Sequence, residues 1–210
     1  MADRPVPTVL TVPTVCGAIL AGGGATRMGG APKGLMEVHG ARILDRLVDA
    51  FVAALGTLPL LVANAPEAPG WRPDLRVVPD RLPGFGTLGG LYTAVLEAPA
   101  PVVCVAWDMP FVPTTLIREL GEGLAGADVV IPASGGRRGV EPLCAGYGPA
   151  TGPAMAVALD RGDLRAIAFH GAVRVRILPD SEVRRFGDPD RLFFNVNTAD
   201  DLVRANGMAL

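Results

Sequence analysis

Apolar residues along this chain gather in short continuous runs, and between those runs they recur every three or four positions; the two patterns take turns from one end to the other. Val15 to Ala21 is apolar throughout except at Gly17, as expected of a strand covered on both faces. Ile43, Leu44, Leu47, Val48, Phe51 and Leu55 follow at helical spacing. Gly56 is a suitable stop, because glycine accepts the left-handed backbone that ends many helices. Leu58 to Ala63 predicts a second strand ending at Asn64, and Arg76 to Val78 a third ending at Asp80. A Gly- and Pro-rich turn then leads into a predicted helix from Thr87 to Glu97. Pro101 to Ala106 is the most strand-like run and stops at Trp107-Asp108. Asp128 to Ile131, Leu143 to Tyr147 and Val173 to Leu178 predict further strands among helical stretches. Asp200 and Asp201 suit a last helix beginning near Thr198, where the helix dipole favours carboxylates.

Strand and helix alternating in this way predict an α/β fold: a doubly wound, mainly parallel sheet with helices on both faces. No repeat or low-complexity linker divides the chain, so residues 15–210 read as one domain. Residues 1–14, with Pro5, Pro7 and Pro13, read as a flexible leader. Sheets of this kind bind ligands beyond the carboxyl ends of their strands. The Gly22 to Lys33 loop, Asn64, Asp80 and Asp108 each follow a predicted strand directly, so four polar features converge on one rim.

Composition narrows the chemistry. With 210 residues, 50% hydrophobic and 19% charged, the chain can bury one full core. A formal charge of -2, with no basic cluster larger than Arg137-Arg138 or Arg184-Arg185, argues against nucleic acid and leaves room for a small polyanion. The apolar runs are far shorter than the roughly 20 residues of a membrane helix, and the first residues do not form a signal-peptide pattern. Cys16, Cys104 and Cys144 are odd in number and embedded in apolar runs, which predicts buried thiols in a reducing cytoplasm rather than a disulfide framework or zinc site. His39 and His170 stand apart from cysteines and close carboxylates and read as loop residues.

Lys33 is the chain's single lysine; every other basic side chain is arginine. A compact ammonium with three rotatable donors thus ends a loop opened by Gly22, Gly23 and Gly24, whose backbone N–H groups can point at phosphate oxygens. Two familiar phosphate loops fail on spacing. A P-loop needs Gly-Lys followed by Ser or Thr, and this chain has no Gly-Lys pair. A dinucleotide fingerprint needs Gly or Ala where Gly22-Gly-Gly-Ala-Thr-Arg27 has arginine. What remains is a glycine turn with Arg27 and Lys33 along a longer loop, suited to surrounding a triphosphate with two cations.

The stretch Leu20-Ala-Gly-Gly-Gly-Ala-Thr-Arg-Met-Gly-Gly-Ala-Pro-Lys-Gly-Leu35 resembles the signature loop of nucleotidyltransferases, in particular the molybdenum cofactor guanylyltransferase family. The resemblance continues through Asn64, Asp80, Gly86-Thr-Leu-Gly-Gly-Leu91, Asp108-Met-Pro-Phe-Val-Pro113 and Asn195-Val-Asn-Thr198, from about Cys16 to Leu202. Two positions depart from it: Pro32 stands where an acidic residue often precedes the lysine, and Thr87 replaces a common proline.

The resemblance implies a Rossmann-like nucleotidyltransferase fold and transfer of GMP from GTP to the phosphate of molybdopterin, with release of pyrophosphate. Lys33, Arg27 and Asp108 are implied as catalytic, and Asp108 as the ligand of Mg2+. Leu20, Ala21, Gly22, Gly23, Lys33, Asn64, Asp80 and Asp108 are implied on the nucleotide side, and Gly30, Gly89, Gly90, Asn195 and Asn197 on the pterin side. GTP and molybdopterin are then the partners, with transient contact to other molybdenum cofactor proteins. The reaction suits these residue types: a phosphate monoester attacking a triphosphate brings two anions together, so alignment and charge neutralisation must do most of the catalysis. A molybdopterin cytidylyltransferase, a sugar-phosphate nucleotidyltransferase and a nucleotide-binding domain without turnover remain as alternatives, the last disfavoured by the presence of both Lys33 and Asp108.

Overall fold

A computed structural model describes residues 14–22, 32–136 and 139–209. The leader expected over residues 1–14, apart from Thr14, therefore lies outside the described residues. So do three expected site residues, Gly23, Arg27 and Gly30, and the Arg137-Arg138 pair. In chain order the elements are β1 (Cys16–Leu20), β2 (Glu37–Val38), β3 (Ala41–Arg42), α1 (Ile43–Leu55), β4 (Leu60–Val62), α2 (Ala68–Trp71), β5 (Val77–Val78), α3 (Gly86–Glu97) and β6 (Val102–Ala106). They continue with α4 (Thr114–Gly123), β7 (Val129–Pro132), β8 (Cys144–Tyr147), α5 (Thr151–Asp160), β9 (Val175–Leu178), α6 (Asp180–Val183), α7 (Pro189–Leu192) and α8 (Ala199–Gly207).

Seven strands make one sheet in the order β5-β4-β1-β6-β8-β7-β9, and β2 with β3 forms a small antiparallel ribbon. Strands β5, β4, β1 and β6 run parallel to their neighbours in this half, as β7 does to β9. The sheet is thus mainly parallel. Strand β8 departs, running antiparallel to both β6 and β7. Its connection from β7 holds no helix among the described residues and folds back through a bridge between Ala133 and Val140, whereas a parallel return needs a long crossover.

Both faces of the sheet are covered. Ile19, Leu61, Val103 and Val105 pack in one core with Ile43, Leu47 and Phe51 of α1 and Leu116 and Leu120 of α4. Their alternating neighbours Ala18, Leu20, Val62, Val102 and Cys104 pack on the other face with Leu88 and Leu91 of α3 and Met155 of α5. This alternation follows from the two-residue period of a strand, and it explains why the strands read as continuous apolar runs. Gly17 interrupts β1 because a Cβ there would lie 2.6 Å from the Phe51 ring and 3.0 Å from Pro59. All three cysteines are free and buried, and burial pushes the Cys104 and Cys144 thiols well above the ordinary thiol value.

Helix ends match the sequence. Gly56 closes α1 in the left-handed conformation, φ 73°, and its N–H donates to Val52. Thr198 and Asp201 form a capping box at the start of α8, the hydroxyl accepting from the Asp201 N–H while the carboxylate accepts from the Thr198 N–H. The chain winds from β1 outward to β4 and β5, then returns to the far side of β1 with β6. That reversal opens a crevice at the carboxyl ends of β1 and β6.

Candidate active site

The crevice is a cavity of about 380 Å3, within the roughly 300–1,000 Å3 range of small-molecule sites. Leu20, Ala21 and Gly22 line it from the end of β1, Asn64 from β4, Asp80 from β5 and Asp108 from β6. Asn64, Asp80 and Asp108 therefore meet there with Gly22, the first residue of the expected loop, whose residues 23–31 lie outside the described residues. Gly90 lines the cavity too, with open space where its side chain would be. Gly89, its neighbour, faces the turn before α3 instead: a Cβ there would lie 3.1 Å from the Leu82 carbonyl oxygen.

Asn64 and Asp80 shape the cavity edge as well as facing it. The Asp80 N–H donates to Asn64 Oδ1 at 2.7 Å, and Asp80 Oδ1 accepts from the Thr93 hydroxyl at 2.9 Å and from the Leu82 N–H at 3.1 Å. Between Asp80 and α3 the chain needs two left-handed glycines, Gly84 at φ 91° and Gly86 at φ 62°. The turn they make brings Gly86 and Thr87, the first residues of α3, onto the cavity wall. Phe85 at the N-cap offers no side-chain acceptor, so this end of the helix presents N–H donors suited to anions.

Lys33 begins a short 3-10 turn, Lys33–Leu35, and is only 4% exposed. Its Nζ donates to Asn197 Oδ1 at 2.7 Å, and its charge reaches Asp108. Residues 75 positions apart in sequence thus lie within electrostatic reach of each other. Burial pushes the Asp108 carboxyl above its ordinary value, and the Lys33 ammonium offsets only part of that. Asp108 Oδ1 is buried and has no hydrogen-bond partner among the described residues. A buried carboxylate oxygen without a donor is costly unless a cation or donor arrives with a ligand. No group of three or more His, Cys, Asp or Glu residues able to hold a metal occurs among the described residues. The arrangement fits a hard cation taking one carboxylate and completing its shell with ligand oxygens and water.

Asn195 and Asn197 enter from the segment before α8. The Asn195 side-chain amide donates to the Phe193 carbonyl at 2.8 Å, and the Val196 N–H between them donates to the Asp108 carbonyl at 2.9 Å. Asn197 therefore approaches the site through Lys33.

Sequence reading missed Gly34 and Trp107. Trp107 lines the cavity, donates its N–H to the Leu20 carbonyl at 3.1 Å, and stacks on Trp71 with ring centroids 5.0 Å apart. Its indole lies against the Gly34 backbone, so a Cβ at Gly34 would come within 2.9 Å of Trp107 Cδ2. The missing side chain thus lets the Lys33 turn close onto the residue before Asp108. The available signal was a glycine following the lone lysine and a tryptophan preceding the aspartate. Gly34→Ala is expected to displace the indole at about 1–3 kcal/mol, seen as a fall in Tm of roughly 2–12 °C.

Residues 17–175 match the family model of the MobA-like NTP transferase domain. The chain is 36% identical over 194 residues to a probable molybdenum cofactor guanylyltransferase of Pelotomaculum thermopropionicum, covering 92% of each protein. It is 31% identical over 195 residues to a molybdenum cofactor guanylyltransferase of Desulfosudis oleivorans, covering 91% of this chain and 94% of that one. Among solved structures, the molybdopterin-guanine dinucleotide biosynthesis protein A of Archaeoglobus fulgidus superposes with a TM-score of 0.74 at 26% identity. That match covers 91% of this chain and 96% of the other.

Proposed function

This chain belongs to the MobA-like NTP transferase family, and on that premise we propose that it transfers GMP from GTP to the terminal phosphate of molybdopterin, forming molybdopterin guanine dinucleotide and pyrophosphate. The observation that carries the reading is the Asp108 carboxylate on the cavity wall, one oxygen of which is buried without a donor, with the buried Lys33 ammonium within electrostatic reach.

A phosphate oxygen of molybdopterin forms a new bond to the α-phosphorus of GTP as the bond to the bridging α–β oxygen breaks, and that electron pair leaves on pyrophosphate. No covalent enzyme intermediate is required. Lys33, with Arg27 from outside the described residues, offsets charge on the triphosphate and the departing pyrophosphate. The first N–H groups of α3 add donors on the cavity wall. Asp108 would hold Mg2+, which supplies charge neutralisation and orientation of the α-phosphate. Leu20, Ala21, Gly22 and Gly23, with Asn64 and Asp80, take the nucleotide side. Gly30, Asn195 and Asn197 take the pterin side, whereas Gly90 lines the cavity shared with the nucleotide-side residues and Gly89 packs against the turn before α3. No helix among the described residues is long and apolar enough to cross a membrane.

A cytidylyltransferase or sugar-phosphate transferase would share this rim, so nucleotide choice is the test. With molybdopterin and Mg2+, pyrophosphate release from GTP is expected to exceed that from CTP or ATP by at least about 100-fold in kcat/KM. That margin is reasonable because the wrong base leaves buried polar groups unpaired. Preference for CTP would move the chain to the cytidylyl branch, and pyrophosphate from none of the three would leave a binding domain without turnover.

A further inference from the structure

A buried ammonium on a four-carbon stem stays in place only if acceptors hold it. Among the described residues, the hydrogen bond that Lys33 Nζ donates goes to Asn197 Oδ1 at 2.7 Å, across 164 residues of sequence. Asn197 is itself pinned. Its backbone N–H donates to Asp201 Oδ2 at 3.1 Å, and the next residue, Thr198, closes the capping box of α8. On its other side the Val196 N–H donates to the Asp108 carbonyl at 2.9 Å, and Val196 is fully buried. A closed circuit results: Asp108 backbone, Val196, Asn197, Lys33, and through space the Asp108 carboxylate. The start of α8 thereby ties the Lys33 ammonium to the same backbone frame as Asp108.

We propose that Asn197 is a positioning residue for the transfer step, its side-chain oxygen setting the Lys33 ammonium in register with Asp108. The inference rests on the reading of Lys33 as the phosphate-facing cation, and it gives Asn197 a task beyond any contact with the pterin. A residue that only touched the pterin would affect molybdopterin affinity and be indifferent to Lys33. A residue acting through Lys33 would affect the rate, and its removal would matter little once the lysine is gone.

The test is a double-mutant cycle of wild type, Asn197→Ala, Lys33→Ala and the double variant, followed by pyrophosphate release at high enzyme concentration so that slow variants still give a rate. Asn197 is exposed and its backbone bonds survive the substitution, so the variant keeps the fold; a urea midpoint close to wild type checks this. The expected result is a kcat lowered by roughly 10- to 100-fold in Asn197→Ala, with KM for molybdopterin changed less than about threefold, as misplacement by about an ångström would cause. In the Lys33→Ala background the same substitution should change kcat less than about threefold. Losses that multiply, or a change confined to the molybdopterin KM, would overturn the positioning role while leaving the transferase reading intact. Absence of GTP-dependent pyrophosphate release in the wild type would take down both.

Discussion

Lys33→Ala is expected to fold as the wild type does and to lose about 100- to 1,000-fold in transfer rate, the scale at which removal of one preorganised charge-stabilising donor is felt. The expectation comes from placement. The ammonium is buried, held by Asn197, and within electrostatic reach of Asp108, so it meets a charged ligand from a site with little water to screen it. Lys33→Arg should not restore the rate, because a planar guanidinium is larger and its donors point along a fixed fork. Turnover near the wild-type level in Lys33→Ala would remove the residue from the mechanism.

Asp108→Asn is expected to lose at least about 1,000-fold in magnesium-dependent transfer, while the metal-free protein melts at the same temperature as wild type or higher. The two effects share a cause. Burial raises the Asp108 carboxyl above its unfolded value despite Lys33. A group shifted this way stabilises the fold fully below its unfolded pKa, and that contribution is lost as pH rises through the folded pKa. At neutral pH the ionised carboxylate is therefore a net cost in the metal-free protein, and the amide removes it. Transfer by the wild type should fall on acidification at a pH above that of an exposed aspartate, about 3.9. Raising Mg2+ should move that acid limb to lower pH, since metal and proton compete for one carboxylate. An acid limb indifferent to Mg2+ would exclude Asp108 as the ligand.

Much of this architecture was legible because the signals are local. The run at Val15 to Ala21, the helix stopped by Gly56, and the acidic residues after Thr198 each report the backbone immediately around them. Convergence of Asn64, Asp80 and Asp108 followed from one topological rule applied to strand ends. Other features depend on what arrives from elsewhere. A strand buried on both faces reads the same in either direction, so Leu143 to Tyr147 gave no hint that β8 runs antiparallel. Gly89 and Gly90 are adjacent in sequence but about 100° apart around α3, so one meets the Leu82 turn and the other the cavity. The Lys33 to Asn197 bond joins two ends of the chain, and no spacing rule reaches that far.

The stacked indoles have a practical corollary. The chain contains two tryptophans, and they are the two that lie against each other at the cavity, one of them on its wall. Tryptophan emission from this protein, excited at the long-wavelength edge where Tyr92 and Tyr147 do not absorb, consequently originates at a single locale. Occupancy of the crevice can be followed optically on the unlabelled molecule, nucleotide by nucleotide, before any turnover occurs.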